Sequence, residues 1–262
     1  MTFSYFITVA NRLDPAARLS AGHRERIAEI IRATHGLLRA ELHIPADIAT
    51  YHDDGAAPLL ELRLEFSCVE TFEAQVSSGG HIWQLSRSDD WISMGASHVT
   101  HQAMLTRTFL PLPGMDGDST LCSYLVHYPG SSEDLNAWLT YYLAHHPQIM
   151  LDYPDVLQVN VFTRIDWCDS MPWTRVNYMQ RNMLTFASPE ILLEALTSPV
   201  RARMREDNAR FPMFSGAALH HAMSTILIAP TTGTLFSRRC DPLELLNHHQ
   251  NQENSYDLDK FI

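Results

Sequence analysis

Lysine is almost absent from this chain of 262 residues: of its 19 basic residues only Lys260 is a lysine, close to the C-terminal end. Schiff-base chemistry, a lysine nucleophile and the lysine of a phosphate-binding loop would all have to use this one position, so we exclude all three. The sequence also lacks GxGxxG, P-loop and GxSxG motifs. Neither a nucleotide cofactor nor an esterase-type serine nucleophile is therefore predicted.

Cysteine and histidine motifs are missing as well. The four cysteines, Cys68, Cys122, Cys168 and Cys240, are irregularly spaced and form no CxxC pair. We expect free, mostly buried thiols in a reducing compartment and therefore a cytoplasmic protein. The 14 histidines include three adjacent pairs but no HExxH, and neighbours along a helix or strand point apart. The sequence therefore predicts no metal ion and no cofactor.

Positive charge and long apolar runs are also scarce. The formal net charge is −11, which repels phosphate backbones and argues against a nucleic-acid partner. No apolar run approaches the roughly 18 residues of a membrane-spanning helix, and no basic amphipathic stretch or signal-peptide pattern occurs. The expected partner is a small-molecule substrate rather than nucleic acid or membrane.

The sequence does contain an internal repeat. Alignment of its two halves sets Tyr5 on Tyr124 and His101 on His220, both at a shift of 119 residues. Five segment pairs match in the same order, among them YFITVAN with YLVHYPG, FSCVETFEAQVSS with FASPEILLEALTS, and SHVTHQAM with GAALHHAM. Five weak matches in one order predict a duplicated unit.

Both copies predict the same succession of elements. A β-branched strand is followed by a helix, two strands, a second helix and a closing strand, which is the ferredoxin-like βαββαβ order. We predict an α+β fold in which tandem ferredoxin-like units, 1–112 and 118–230, form one intramolecular α/β barrel. A C-terminal extension, 231–262, has no counterpart in the first copy. Alternation in the third strands, LLELRLEF and NYMQRNMLTF, predicts that one of their faces is solvated or lines the barrel lumen.

Details of the helices are also predicted. In the first copy the helix AGHRERIAEIIRATHGLL is expected to extend to Leu37. In the second copy Ser131 or Ser132, with Asp134, can cap the first helix. Pro147 and Pro154 are expected to limit its length, and Ser188–Pro189 is a typical start for the second helix.

The segment AWLTYYLAHHPQIMLDYPDVLQV resembles the signature of EthD-like members of the dimeric α/β-barrel superfamily. In that signature an aromatic residue precedes a histidine, a small residue and a proline follow, and another proline stands before the second strand. The matching positions are Tyr141, His145, His146, Pro147 and Pro154. The first copy departs from the pattern because Leu37 stands where the proline should follow its histidine.

The resemblance implies a barrel that single-unit relatives build as dimers and that this chain builds within one monomer, which could pair further into a homodimer. It also implies work on small organic compounds, although the superfamily performs many reactions and the fold alone names none. We expect the ligand to enter a cleft between the helices and the sheet, and the second copy, which fits the pattern better, to hold the active cleft.

Histidines and a tyrosine are the candidate catalytic residues. A histidine near neutral pKa can move a proton in either direction, and a phenol can hold a developing oxyanion. We predict His145 as general acid or base, His220 as its partner or as the residue that orients the substrate, and a tyrosine, Tyr124, as oxyanion donor. The remaining candidates are the repeat-related His35 and His101, and His127, which lies on the sheet face opposite Tyr124.

The leading interpretation is cofactor-independent acid–base chemistry on a carbonyl- or phenol-bearing compound, that is, isomerisation, cyclisation, dehydration or decarboxylation by a lyase or isomerase. Two alternatives stay open. The chain could be a monooxygenase or a haem-dependent oxidoreductase, or it could be a non-catalytic binding or accessory protein of a degradation or biosynthetic pathway.

Overall fold

The structure is a computed structural model that describes residues 1–48, 54–87, 98–114 and 120–231. The proposed C-terminal extension, with Cys240, therefore lies almost wholly outside the described residues. Cys68, Cys122 and Cys168 are free thiols. Within the described residues, no helix is long and apolar enough to cross a membrane.

Among the residues that the structure describes, the first half runs through four strands and three helices. In chain order they are β1 (Thr2–Ala10), α1 (Ala21–Arg32), β2 (Leu37–Pro45), β3 (Leu60–Phe66), α2 (Val69–Val76), α3 (His81–Leu85) and β4 (His98–Leu110). The second half repeats this order with one added short strand: β5 (Thr120–Tyr128), α4 (Leu135–Met150), β6 (Gln158–Arg164), β7 (Thr174–Arg175), β8 (Gln180–Phe186), α5 (Pro189–Thr197), α6 (Val200–Asn208) and β9 (Leu219–Ile228).

Eight of these strands close into one antiparallel barrel, in the order β1-β3-β2-β9-β5-β8-β6-β4 and back to β1. The two halves have the same register: Tyr5 lies opposite Ala103, and Tyr124 opposite Ala222, each pair related to the other by 119 residues. The fold class predicted from the sequence is thus confirmed. The unit boundaries at 112 and 118 stay a prediction.

The helices cover the outside of the barrel, and each half has its own apolar layer between helices and sheet. In the first half Ile7, Ile27 and Phe72 belong to this layer; in the second half Trp138 and Leu184 do. The outward faces of the strands alternate with inward faces, as the strand period requires.

The inward faces fill the lumen. Its middle is an apolar plug, formed by Phe6, Met104, Leu125, Phe162, Met183 and Met223. On either side of the plug lie buried charges: Arg63 contacts Glu41 at 2.8 Å, and Arg181 contacts Glu61 at 3.0 Å, with each of the four at most 1% exposed. The polar face that the alternation of the third strands predicts therefore lines the lumen of the barrel and does not face solvent.

Two helix ends differ from the sequence expectation. Helix α1 stops at Arg32, because Gly36 adopts a positive φ of 72° that turns the chain into β2, so Leu37 is a strand residue. Helix α4 continues through Pro147 to Met150, because a proline near a helix end costs only the backbone bond it cannot donate. Two of the predicted caps are confirmed: Asp134 accepts from the Ala137 amide at 2.9 Å, and Ser188 precedes Pro189 at the start of α5. The hydroxyl of Ser132 instead donates to the carbonyl of Met213 at 3.0 Å.

The buried lumen groups predict that the fold loses stability in acid. Burial by itself would raise the pKa of Glu41, but Arg63 and His43 outweigh it and lower the pKa from 4.5 to about 2. Burial lowers the pKa of His127 from 6.5 to about 3. Both groups bind protons more readily in the unfolded chain, so their contributions are complete above pH 6.5 and are lost as the pH falls towards 2.

We expect the free energy of unfolding, measured by urea titration, to decrease as the pH is lowered from 6.5 to 3. Burial also lowers the pKa values of His101, His146 and His221, which adds to the same slope. The variant His127→Leu should have a shallower slope between pH 6.5 and 4.5. An unchanged slope would show that His127 does not titrate with unfolding.

Candidate functional site

Two predicted residues, Tyr124 and His220, meet on the outer face of the barrel in the second half. They lie on the neighbouring strands β5 and β9, and their rings stack with centroids 5.7 Å apart and planes at 29°. Both side chains face the helices because they are in phase along the two strands. Burial raises the pKa of Tyr124, so its phenol is protonated at neutral pH.

A carboxylate orients the ring of His220. Asp54 accepts hydrogen bonds from the backbone amide of His220 at 2.8 Å and from its ring Nδ1 at 2.7 Å. A carboxylate on Nδ1 fixes the tautomer that carries its proton there, so Nε2 is the basic nitrogen. The side chains of His220 and Asp54 are 18% and 20% exposed, which leaves the pair within reach of a ligand.

A second tyrosine and an arginine complete the group. Tyr153 follows α4, and Arg201 lies on α6; the charge of Arg201 acts on the phenols of both Tyr124 and Tyr153. Burial raises the pKa of Tyr153 to about 12, and Arg201 opposes that rise. We call Asp54, Tyr124, Tyr153, Arg201 and His220 the outer-face cluster. It combines a carboxylate-backed imidazole with phenols and a cation, the groups that proton transfer to and from an oxyanion requires.

The first half contains the corresponding tyrosine–histidine pair, which other side chains enclose. Tyr5 is hydrogen-bonded to Nδ1 of His101 at 2.8 Å, and both side chains are 1% exposed. The rings of Trp167 and Trp173 pack edge-on against His101, each with centroids 6.2 Å apart. Burial lowers the pKa of His101. The first pair is thus neutral and enclosed, whereas the second is accessible.

Each histidine interacts with an acid supplied by the opposite half. Asp54 belongs to the loop after β2 and bonds His220, while Asp169 belongs to the loop after β6 and acts electrostatically on His101. Asp169 is itself bonded to Arg175, whose guanidinium stacks 3.9 Å above the ring of Trp167. Neither cluster can form within one half alone, so the closed barrel is what assembles them.

The remaining predicted residues lie apart from this cluster. His145 is exposed on α4, with Nδ1 2.8 Å from the carbonyl of Tyr141, and His35 is exposed in the turn after α1. The buried histidine of α4 is its neighbour His146, which bonds Asp207 at 2.7 Å. The sequence reasoning did not single out His146, although the adjacent Pro147 and the apolar face of the helix were visible.

His127 lies in the barrel lumen, on the other side of the sheet from Tyr124. Its Nε2 is 3.6 Å from Glu61, and its ring lies 5.8 Å from that of His221. The residues that sequence reasoning missed are above all Asp54, in a loop, and Arg201, on a surface helix. Both lie outside the five segment pairs that match in the repeat, so the repeat does not mark them.

A bound metal ion or haem would place specific requirements on these side chains. Among the residues that the structure describes, no group of three or more His, Cys, Asp or Glu side chains is arranged to hold a metal ion. Axial haem ligation needs open space beside a histidine ring. Trp167 and Trp173 enclose His101, and Tyr142 and Phe211 pack against His146 at 4.9 Å, so neither ring fits that role.

A closed barrel of two βαββαβ halves, with helices outside, defines the dimeric α/β-barrel fold, here completed within one chain. Comparisons with protein-family models and with curated proteins give no match. Solved structures do share the fold. A candidate monooxygenase from Lactobacillus acidophilus NCFM is 10% identical, with a TM-score of 0.50 over 87% of this chain and 96% of that chain.

Two further structures show the same likeness. A candidate monooxygenase from Fusobacterium nucleatum subsp. nucleatum is 7% identical, with a TM-score of 0.52 over 87% of this chain and 94% of that chain. An anthrone oxidase-like protein is 10% identical, with a TM-score of 0.51 over 86% of this chain and 91% of that chain. At these identities the likeness establishes the fold.

Proposed function

We propose that the protein is a small-molecule enzyme whose outer-face cluster removes a proton from a carbonyl- or phenol-bearing substrate. The observation that carries the proposal is the 2.7 Å contact between Asp54 and Nδ1 of His220, whose ring stacks on the phenol ring of Tyr124. A carboxylate in this position favours the imidazolium that forms when Nε2 accepts a proton.

The other members of the cluster bind the anion that is formed. Loss of a proton next to a carbonyl, or from a phenol, places negative charge on oxygen. The protonated phenols of Tyr124 and Tyr153 can donate hydrogen bonds to that oxygen, and Arg201 contributes a positive charge. Return of the proton at another atom completes an isomerisation, and attack of the anion on an electrophilic carbon of the same molecule, followed by return of the proton to the oxygen formed there, completes a cyclisation. Departure of a hydroxyl group, which takes the proton from His220 and leaves as water, completes a dehydration. In a decarboxylation the same groups bind the enolate that remains when the substrate carboxylate leaves as CO₂, and a proton then returns to its carbon.

Oxidation of the same anion by molecular oxygen is the second candidate. The shared fold of two candidate monooxygenases and an anthrone oxidase-like protein favours it over the rearrangements. In such a reaction the substrate anion supplies the electrons that reduce O₂. A CH₂ group bonded to the aromatic rings of the substrate becomes a carbonyl. One oxygen atom of O₂ is retained in that carbonyl, and the other leaves as water. The chain's own contribution, proton removal by His220, is the same in both candidates.

The EthD-like assignment belongs to this proposal as well. It rests on the order of Tyr141, His145, Pro147 and Pro154 along α4 and the segment that precedes β6. It adds no residue to the outer-face cluster, because His145 is exposed on α4.

The test combines turnover with oxygen consumption. The full-length protein is incubated with anthrone, simple phenols and 1,3-dicarbonyl compounds, in air and under nitrogen. We expect turnover of at least one compound and its loss in His220→Ala; dependence on air would select the oxygenase. A Soret band on adding haem, with activity only then, would favour the haem enzyme instead. Binding without turnover in any condition would leave the accessory role.

A further inference from the structure

A pocket lies at one mouth of the barrel, on the other side of the sheet from His220. It has a volume of about 150 Å³, and its lining includes Thr8, Glu61, His127, Tyr178, Leu219 and His221. His221 is the neighbour of His220 on β9 and points inward, while His220 points outward. A pocket of this volume is close to that of an engineered cavity, about 150 Å³, that holds one benzene molecule.

The floor of the pocket is polar and rigid. Thr8 donates a hydrogen bond to Oε2 of Glu61 at 2.6 Å, and Nη1 of Arg181 bonds the same oxygen at 3.0 Å. The guanidinium of Arg181 lies between two aromatic rings, 4.7 Å from the centroid of Phe6 and 4.6 Å from that of Tyr178. Phe6 itself belongs to the apolar plug, so the floor of the pocket borders on the plug.

Several buried polar atoms of this floor have no hydrogen-bond partner within the described part of the chain. They are Oε1 of Glu61, both ring nitrogens of His127, and Nε and Nη2 of Arg181. Buried polar groups in folded proteins are nearly always paired, and leaving one unpaired is costly. Glu61 and His127 line the pocket directly, so a molecule in it can supply what they lack.

The charges of the floor select the kind of molecule. Glu61 and Arg181 balance each other, and burial keeps His127 and His221 neutral at physiological pH by lowering their pKa values. A ligand with a net charge would therefore be buried without a counter-charge. What Oε1 of Glu61 needs is a hydrogen-bond donor, and a neutral imidazole can both donate and accept. The walls add the apolar surfaces of Leu219 and the Tyr178 ring.

We propose that the barrel-mouth pocket is a binding site for a small, neutral, hydroxyl-bearing aromatic molecule of the phenol type. The hydroxyl donates to Oε1 of Glu61 and accepts from the ring of His127, and the aromatic ring rests against Tyr178 and Leu219. The site is separate from the outer-face cluster and does not depend on the proposed reaction.

The experiment measures phenol binding to the full-length protein by calorimetry, with toluene and benzoate as matched probes. Toluene lacks the donor, and benzoate carries a charge, so both should bind at least about tenfold more weakly than phenol. In the NMR spectrum of ¹⁵N-histidine-labelled protein, phenol should shift the two ring nitrogen signals of one histidine. These two signals should be absent from the spectrum of His127→Leu.

Two variants assign the binding to this pocket without disturbing its floor. Ala56 is exposed at the rim, so Ala56→Trp should obstruct entry and weaken phenol binding at least about tenfold, whereas Ala144→Trp on the exposed face of α4 should not. Equal binding of phenol and toluene, or unchanged binding in Ala56→Trp, would overturn the proposal. Loss of binding in His220→Ala but not in Ala56→Trp would place phenol in the outer-face cluster and overturn it equally.

Discussion

Replacement of His220 by alanine is expected to lower kcat/KM by about 10²- to 10⁴-fold, the range that a positioned acid–base group contributes. The variant removes the imidazole that Asp54 orients but keeps the backbone amide, which still bonds Asp54. The side chain is part-exposed and fills no core space, so folding should be retained. The measurement is steady-state turnover of the substrate found in the oxygen-consumption test.

A carboxylate variant separates catalysis from surface charge. Asp54→Asn keeps the shape but removes the charge that stabilises the imidazolium, so kcat should fall while the thermal midpoint changes little. The control is Asp152→Asn, whose carboxylate bonds Arg203 at 2.7 Å with both side chains about half exposed. If His145→Ala abolished turnover and His220→Ala did not, proton transfer would belong to α4.

The pairing of tyrosine with histidine could be read from the sequence because it follows from the repeat. Tyr5 with His101, and Tyr124 with His220, are related by the same shift of 119 residues, and strand pairing in the same register brings each pair together. Strand period then puts the two side chains on one face. Their difference in exposure depends on Trp167 and Trp173, which lie between β6 and β8, whereas the corresponding segment between β2 and β3 contains no tryptophan.

The sequence, in contrast, could not predict which of the two adjacent histidines on α4 faces the protein interior. His145 and His146 differ by about 100° around the helix axis. The structure puts His146 inward, against Asp207 and Tyr142, and His145 outward against Tyr141. The partner Asp207 is 61 residues away on another helix. A family signature gives the order of residues along the chain. It does not show which side of α4 packs against the rest of the protein.

The buried charges of the lumen could be predicted from the sequence only in part. Alternation along β3 shows that Glu61 and Arg63 share a face, but it does not say whether that face meets water or another strand. Their partners Arg181 and Glu41 lie on β8 and β2, and only closure of the barrel brings Arg181 to Glu61, 120 residues away. Burial of such charges depends on long-range pairing, which no local pattern reveals.

Replacement of Arg63 by methionine should cost about 3–5 kcal/mol of unfolding free energy, the range for removing one partner of a buried ion pair. Arg63 bonds Glu41 at 2.8 Å, Glu65 at 2.9 Å and the Ser4 hydroxyl at 3.0 Å, and it is 1% exposed. Methionine keeps much of the volume but leaves Glu41 with only the more distant Arg39, at 3.9 Å, and His43, at 3.5 Å, and leaves Glu65 with no cation within 4 Å in the described part of the chain. Chemical denaturation at pH 7 measures the loss.

Two further variants decide whether the loss comes from the stranded charge. Adding Glu41→Gln to Arg63→Met removes the fully buried carboxylate, so it should restore part of the stability. Arg203→Met breaks an exposed ion pair with Asp152 and should cost about 1 kcal/mol or less. If the double variant were no more stable than Arg63→Met, the cost would lie in lost packing against Phe162, which Arg63 overlies at 5.2 Å.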